Sequence, residues 1–313
     1  MVASKVVVTG AAGFIGSNLC ETLLKKNIEV VGIDNLYTGK LENLNSFKDN
    51  KYFKFVKCDI RNLSEIAPIL KDTDVIFHEA AQTSVQGSIQ NPSLCNEVNV
   101  QGTLNILDLA RKNDVEKVIL ASSAAIYGDD PTLPKKESMH VQPISPYGVS
   151  KLAAESYLFA YYRVYGLKTT SLRYFNVYGP RQDNSPYSGV IAIFLSNIRR
   201  NKPINVFGDG TQTRDFVYVK DVVNANILAS ESIHSAGKIL NIASGNPTSL
   251  NEVLEILKEE FHRKELMVNY KDNRVGDIKF SSANISLAKK IIGFEPKYDI
   301  RAGLEDYIRN YIA

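Results

Sequence analysis

Short β-branched runs alternate with stretches of helical periodicity through the first half of the chain. Val6-Val7-Val8 reads as a buried strand, and residues 14–26 follow as a helix with Ile15, Leu19 and Leu23 on one stripe at spacing four. Val30 to Ile33 is the next strand; Phe53 to Val56, Val75 to Phe77, Val118 to Leu120 and Thr169 to Leu172 are further strand candidates. Helical patterns lie between them, such as Val100, Leu104, Leu107 and Ala110 ahead of Val118. Near-continuous apolar strands separated by helices predict a parallel sheet covered on both faces. After residue 175 the rhythm loosens into loops at 179–189 and 207–213 that are rich in Gly, Asp, Ser and Thr. A clean amphipathic helix returns at 250–261, with Leu250, Val253, Leu254, Leu257 and Phe261 on one face and a capping box of Ser249 and Glu252 at its start. The pattern predicts a doubly wound sheet over 1–175, which also receives part of 215–243, and a smaller α/β unit over 176–313.

Composition narrows the function classes. The 313 residues are 44% hydrophobic and 23% charged, close to an average globular protein and long enough to bury a large core. Against 34 acidic residues stand 37 basic ones, and so slight and scattered an excess is a poor footprint for nucleic acid. Cys20, Cys58 and Cys95 form no CxxC pair and read as free buried thiols of a reducing cytoplasm. The four histidines, at 78, 140, 234 and 262, have no metal-ligand spacing, so no metal is expected. No apolar run approaches the ~18 residues of a membrane span, and the first residues lack the features of a signal peptide. A cytoplasmic enzyme or binding protein that touches neither membrane nor nucleic acid is the expectation.

Chemistry enters at Thr9-Gly10-Ala11-Ala12-Gly13-Phe14-Ile15-Gly16, which follows the first strand directly and opens the first helix. Gly10 permits a sharp turn, Gly13 lets backbone approach a pyrophosphate, and Gly16 lets helix pack close to strand. The helix N-terminus then offers N–H groups to the anion. Asp34 ends the second strand, 18 residues past Gly16. Its carboxylate would accept from the adenosine ribose hydroxyls and repel a 2′-phosphate, which favours NAD over NADP. Asp59 could receive the adenine amino group, or could be a plain strand-end acid. Small Ala80 and Ala81 would let a dinucleotide pass close to the sheet, and His78 beside them reads as structural.

Tyr147 and Lys151 stand at i and i+4 of a helix that starts after Pro146, so their side chains share one face. A free tyrosine has a pKa of about 10 and is a poor base at neutral pH. A nearby ammonium, joined by the positive charge of oxidised nicotinamide, favours the phenolate, which can then take a proton from a substrate hydroxyl. Ser123, at the end of the strand that starts near Val118, is placed to share the substrate oxygen with Tyr147.

These features together resemble the extended short-chain dehydrogenase/reductase family. The matching segments are Gly10-x-x-Gly13-x-x-Gly16, Asp34-Asn35, His78-x-Ala80-Ala81, Asn99-x-x-Gly102-Thr103, Ser122-Ser123, Tyr147-x-x-x-Lys151 and Arg173-Tyr174-Phe175-Asn176-Val177-Tyr178-Gly179-Pro180. Within that family the chain looks like the nucleotide-sugar 4-epimerases, on the stretches 208–216 and Arg274-Val275-Gly276-Asp277. The resemblance implies a Rossmann-type sheet, a UDP-sugar-binding C-terminal domain and Ser123, Tyr147 and Lys151 as the catalytic set. For the cofactor it implies contacts from Gly10, Gly13, Phe14, Ile15, Gly16, Asp34, Asn35, Thr38 and Gly39. Asp59, Ile60, Ala80, Ala81, Asn99, Tyr147, Lys151, Phe175 and Val177 complete that set. For the substrate it implies Ser84, Ser123, Tyr147, Asn176 and Val190, with Arg214 and Arg274 on the diphosphate and Asp277 on the uridine ribose. Planar guanidinium forks suit phosphate oxygens.

Related dehydratases and decarboxylating enzymes carry an acidic residue just after the catalytic Ser or Thr, whereas Ala124 and Ala125 stand here. The resemblance therefore implies oxidation and re-reduction at C4 through a transient 4-keto sugar. In the epimerases a residue a few positions after the Arg-x-Gly-Asp segment walls the sugar pocket; the resemblance places Ser281 there, and its small side chain would leave room for an acetamido group. UDP-N-acetylglucosamine/UDP-N-acetylgalactosamine exchange is expected, with UDP-glucose/UDP-galactose also accepted. The alternatives are another nucleotide-sugar enzyme of the family, such as a UDP-glucuronate 4-epimerase, or a non-catalytic NAD sensor. Residues 95–112 and 152–165 read as long helices, the second crowded with Tyr157, Leu158, Tyr161 and Tyr162, and the family pairs such helices into a homodimer.

Overall fold

Strands β1 (Lys5–Thr9), β2 (Glu29–Asp34), β3 (Phe53–Lys57), β4 (Val75–His78), β5 (Lys117–Ser123) and β6 (Lys168–Tyr174) appear where the apolar runs predict them. The coordinates are a computed structural model that describes residues 3–183, 189–272 and 278–311. The main sheet has seven strands in the order β11-β6-β5-β4-β1-β2-β3, with β11 (Lys238–Ile242) as its last member. Every pairing in it is parallel, including Thr9 opposite His78 and Ser123 opposite Tyr174. The strand order reverses between β1 and β4, and a crevice at such a reversal, above the carboxyl ends of the strands, is where doubly wound sheets bind ligands.

The period-two alternation of a strand sorts the core into two layers. Val6, Val8, Phe77 and Ile119 join one buried cluster, while Val7, Ile76, Val118 and Leu120 join the other. Against these faces lie α1 (Phe14–Lys25), α2 (Leu63–Ile66), α3 (Val85–Gln90), α4 (Pro92–Asn96), α5 (Gly102–Lys112) and α6 (Pro146–Tyr165). A π-helical turn, Glu97–Gln101, joins α4 to α5, so the helix read from residue 95 contains one widened turn. Ser145 caps α6 by accepting from the Gly148 N–H at 3.1 Å, and Gly166, at φ +73°, ends it.

Beyond β6 the chain makes α7 (Val190–Arg199), α8 (Val219–Glu231), α9 (Leu250–Glu260), α10 (Ser286–Ile292) and α11 (Ile300–Tyr311). Three small sheets accompany them: β7 (Asn176–Tyr178) with β10 (Phe216–Tyr218), β9 (Thr213–Arg214) with β12 (Thr248–Ser249), and β8 (Ile204–Phe207) with β13 (Val268–Lys271). The capping box of α9 forms as its sequence predicts, with Glu252 N–H donating to Ser249 Oγ at 3.1 Å and Ser249 N–H to Glu252 Oε2 at 2.7 Å. Cys20, Cys58 and Cys95 are free and buried. Among the described residues no helix is long and apolar enough to cross a membrane.

Candidate active site

The turn after β1 is built on close contacts. Gly10 has φ +70°, and a Cβ there would lie 2.8 Å from the Ala80 nitrogen, while one at Gly16 would lie 2.2 Å from the Gly10 carbonyl oxygen. Only glycine fits both places. Gly13 precedes Phe14 and Ile15 at the start of α1, and no side chain caps that helix. Asp34, buried at the end of β2, accepts from Ala12 N–H at 3.0 Å and Leu36 N–H at 2.7 Å. Burial pushes its carboxyl up, and those two backbone bonds hold it down. A Cβ at Gly39 would lie 2.7 Å from both carboxyl oxygens, so that glycine keeps the space beside Asp34 open. Two of the carboxylate's roughly four acceptor positions are used, which leaves room for a ribose diol. The uncapped helix start, the glycine turn and this half-used acid fit an adenine dinucleotide. Thr38 is exposed next to Gly39.

Asp59 differs from a simple adenine acceptor. Its Oδ1 takes the Arg61 backbone N–H at 2.9 Å and Arg61 Nε at 3.0 Å, and its Oδ2 takes Arg61 Nη2 at 2.9 Å and Asn35 Nδ2 at 2.8 Å. All the acceptor positions are thus occupied, and an adenine amino group would have to displace one of these donors. The Arg61 fork holds the Asp59 carboxyl at about 2. The signal was present in the sequence, since an arginine stands two residues on. Ile60 is buried beside it.

Asn99 lies in the π turn and is also largely spent within the protein. Its Oδ1 accepts from Gln82 N–H at 2.7 Å, while Nδ2 donates to the Gln82 carbonyl at 3.0 Å and to Ser150 Oγ at 2.9 Å. It pins the segment that follows Ala80 and Ala81, both half-buried. His78 is structural, as its sequence context predicts. Thr103 Oγ1 donates its proton to the Asn99 carbonyl and so accepts from His78 Nε2 at 3.0 Å; Nδ1 of the neutral ring then accepts from Thr9 Oγ1 at 2.8 Å, whose oxygen also takes the Ala80 N–H. The imidazole is held neutral with its proton on Nε2, and burial pushes it down to about 3. Ser84 caps α3, accepting from Gly87 N–H at 2.9 Å.

The structure brings Ser123, Tyr147 and Lys151 together. Ser123 ends β5, and its Oγ accepts from Ala125 N–H at 3.1 Å. The Ser123 hydroxyl lies near the Tyr147 phenol and pulls down a pKa that burial pushes up. Lys151 Nζ lies 5.9 Å from the Tyr147 ring centroid and donates to the Ala121 carbonyl at 2.8 Å. Burial pushes Lys151 down to about 8, with the Glu79 carboxylate acting against that shift. The spacing argument from sequence expected the ammonium to favour the phenolate. In the protein's own residues desolvation outweighs it, because the phenol is enclosed and the ammonium is directed at a carbonyl.

Two groups near this cluster escaped the sequence reading. Glu79 accepts from Tyr174 O–H at 2.9 Å, and Asn226 Nδ2 donates to that same phenol oxygen at 2.7 Å. Burial pushes the Glu79 carboxyl up to about 7. Behind Ser123, buried Glu155 and Arg173 form an ion pair at 2.8 Å that also takes Ser122 Oγ at 2.5 Å. Arg173 Nη1 donates to Tyr127 Oη at 2.9 Å, and Tyr127 donates to Asn241 Oδ1 of β11 at 2.7 Å. A signal existed here too: Glu155 is one turn past Lys151.

On the other side of the crevice, Phe175 is buried and Asn176 and Val177 are half-buried at the junction of β6 and β7. Asn176 N–H donates to the Asp215 carbonyl at 3.1 Å, next to Arg214. The Arg214 guanidinium donates to the Thr213 carbonyl at 2.8 Å. Ser281 N–H bonds that same Thr213 carbonyl at 3.1 Å, so Ser281 and Arg214 are held on one small framework. Val190 opens α7. Arg274 and Asp277 lie outside the described residues.

Comparison with known proteins agrees with this geometry. Residues 6–243 match the model of the NAD dependent epimerase/dehydratase family. The UDP-glucose 4-epimerase of Mycolicibacterium smegmatis is 37% identical over 98% of this chain and 99% of its own length. The UDP-N-acetylglucosamine 4-epimerase of Methanobrevibacter ruminantium, solved in complex with UDP-N-acetylmuramic acid, superposes with a TM-score of 0.94 at 40% identity, covering 99% of this chain and 98% of that one. The UDP-glucuronic acid 4-epimerase of Bacillus cereus, solved with UDP-glucuronic acid and NAD, gives a TM-score of 0.90 at 33% identity, covering 97% and 99%. An NAD-dependent enzyme of the extended short-chain dehydrogenase/reductase type, similar over its whole described length to UDP-sugar 4-epimerases, this chain belongs to the NAD dependent epimerase/dehydratase family.

Proposed function

We propose that this protein is a UDP-sugar 4-epimerase that interconverts UDP-N-acetylglucosamine and UDP-N-acetylgalactosamine and also turns over UDP-glucose and UDP-galactose. The observation that supports the reading is the cluster of half-buried Ser123 and Tyr147 with buried Lys151, at the end of β5 and in the first turns of α6, with alanine rather than an acid at 124 and 125. Bound NAD supplies the acceptor, and then the donor, of hydride at the sugar C4. Tyr147, as the phenolate that the positive charge of bound oxidised nicotinamide would favour, takes the proton of the 4-hydroxyl and returns it after the sugar has turned. Ser123 shares that oxygen through its hydroxyl, and Lys151 keeps its positive charge beside the phenol at neutral pH. With no acid after Ser123, the 4-keto sugar has no group to expel its C6 hydroxyl. Arg214 and Arg274 hold the diphosphate while the sugar swings, Asp277 takes the uridine ribose, and Asn176 and Ser84 contact the sugar. Val190 and Ser281 wall the sugar pocket, and the small Ser281 side chain admits the acetamido group.

Two further readings go with this one. Of the aromatic and apolar residues read on this helix, Leu158 and Tyr161 are buried in the core, and exposed Tyr157 with Val164, two turns on, supplies the apolar flank of α6 for a homodimer built on α5 and α6. Three free thiols suit the reducing cytoplasm. The test is incubation with UDP-N-acetylglucosamine, UDP-glucose, UDP-galactose and UDP-glucuronate, followed by product identification. Formation of UDP-N-acetylgalactosamine supports the reading. Turnover of UDP-glucuronate alone would assign the protein to the uronate enzymes, and turnover of none would leave a binding protein.

A further inference from the structure

We propose that Asp215 is a positioning residue that sets the register of the sugar-facing half of the site. The proposal rests on the reading that Asn176, Arg214 and Ser281 face a UDP-sugar. Asp215 is fully buried. Its Oδ1 accepts from Ser244 N–H at 2.8 Å, Ser244 Oγ at 2.7 Å and Gly245 N–H at 3.2 Å, and its Oδ2 accepts from Ala283 N–H at 3.0 Å. Its own carbonyl accepts from Asn176 N–H at 3.1 Å. One residue therefore ties together three separate stretches of chain: the Asn176 turn, the loop at the end of β11, and the segment that begins with Ser281. It does so while adjoining Arg214, the diphosphate ligand of the proposal.

The chemistry demands a carboxylate. Every group aimed at the side chain is a donor, and four donors fill the acceptor positions of one ionised acid. Burial without a cation is costly, and these hydrogen bonds to the charged form offset that cost. An asparagine of the same shape would turn an NH2 group toward at least one N–H, and that strand of the framework would be pushed off. Displacement of the Ala283 segment moves the Ser281 wall two residues earlier, and release of the Ser244 loop lets Asp215 shift together with adjoining Arg214 and the carbonyl that holds Asn176.

The test compares Asp215→Asn and the milder Ser244→Ala with wild type. The expected result for Asp215→Asn is a rise of about tenfold or more in KM for UDP-sugars and in the Kd of UDP alone, with the NAD content of the purified protein unchanged. The ratio of N-acetylated to plain UDP-hexose turnover should shift as well, and Ser244→Ala should move each quantity less and in the same direction. A purely structural role would lower the melting temperature and leave the KM and the ratio alone. Both variants binding UDP like wild type with an unchanged ratio would overturn the proposal; should Asp215→Asn not fold, Ser244→Ala decides. A wild-type chain that does not bind UDP overturns the epimerase reading first, and this proposal with it.

Discussion

Glu155 stands one helical turn beyond Lys151 and meets Arg173 in a two-pronged ion pair, with Nη2 to Oε2 at 2.8 Å and Nε to Oε1 at 2.9 Å. The side chains are only 2–3% exposed. The pair thereby joins α6, which carries Tyr147 and Lys151, to the strand next to Ser123. Removing one member leaves a buried charge without its partner, a change that costs about 3–5 kcal/mol. Glu155→Leu and Arg173→Met should each lower the urea midpoint strongly, while the double variant recovers most of the loss. Additive losses in the double variant would show that the two side chains do not act as a pair.

Tyr147→Phe removes the proposed proton carrier and leaves the ring in place. Loss of a general base typically lowers turnover by about 10²–10⁴-fold. We expect a decrease of that size with the melting temperature and the bound NAD retained. Full activity in the phenylalanine variant would eliminate Tyr147 from the reaction.

His78 makes stability depend on pH in the acid range. Its ordinary value is 6.5 and burial lowers it to about 3, so the folded state binds fewer protons than the unfolded chain between those values. The stabilisation is fully present above about pH 6.5 and is lost as pH falls toward 3, with a slope of up to about 1.4 kcal/mol per pH unit. Urea unfolding at pH 7, 6, 5 and 4 measures the slope. His78→Asn should flatten it, and an unchanged slope in that variant would assign the effect to other groups.

Ser281 is the proposed determinant of sugar size. Ser281→Tyr should abolish turnover of the N-acetylated UDP-hexoses and spare UDP-glucose and UDP-galactose, measured as separate initial rates. Equal loss of both activities would remove this position from the pocket wall.

The acid at the dinucleotide site illustrates how far the sequence alone reaches. The spacing from Gly16 to Asp34 is a local consequence of one helix and one strand, and two backbone N–H groups take only part of the Asp34 carboxylate's acceptor capacity. Asp59 stands at an equivalent strand end, yet its acceptors are filled by Arg61 and Asn35. Whether a strand-end carboxylate is available depends on which donors the neighbouring loops bring to it. Asn99 repeats the lesson, since its amide is committed to Gln82 and Ser150, and Ser150 is remote in sequence.

By itself the sequence determined the alternation of strands and helices up to about residue 175, the glycine turn, the N-terminal cap of α9 and the shared face of Tyr147 and Lys151. These obey short-range rules: side chains alternate along a strand, recur every turn of a helix, and a glycine is needed where a Cβ has no space. Only the tertiary structure decided that Glu155 finds Arg173 and that Asp215 gathers Ser244, Gly245 and Ala283. Those contacts join segments far apart along the chain, and a buried charge is satisfied by whatever groups the packing delivers, which no local pattern records.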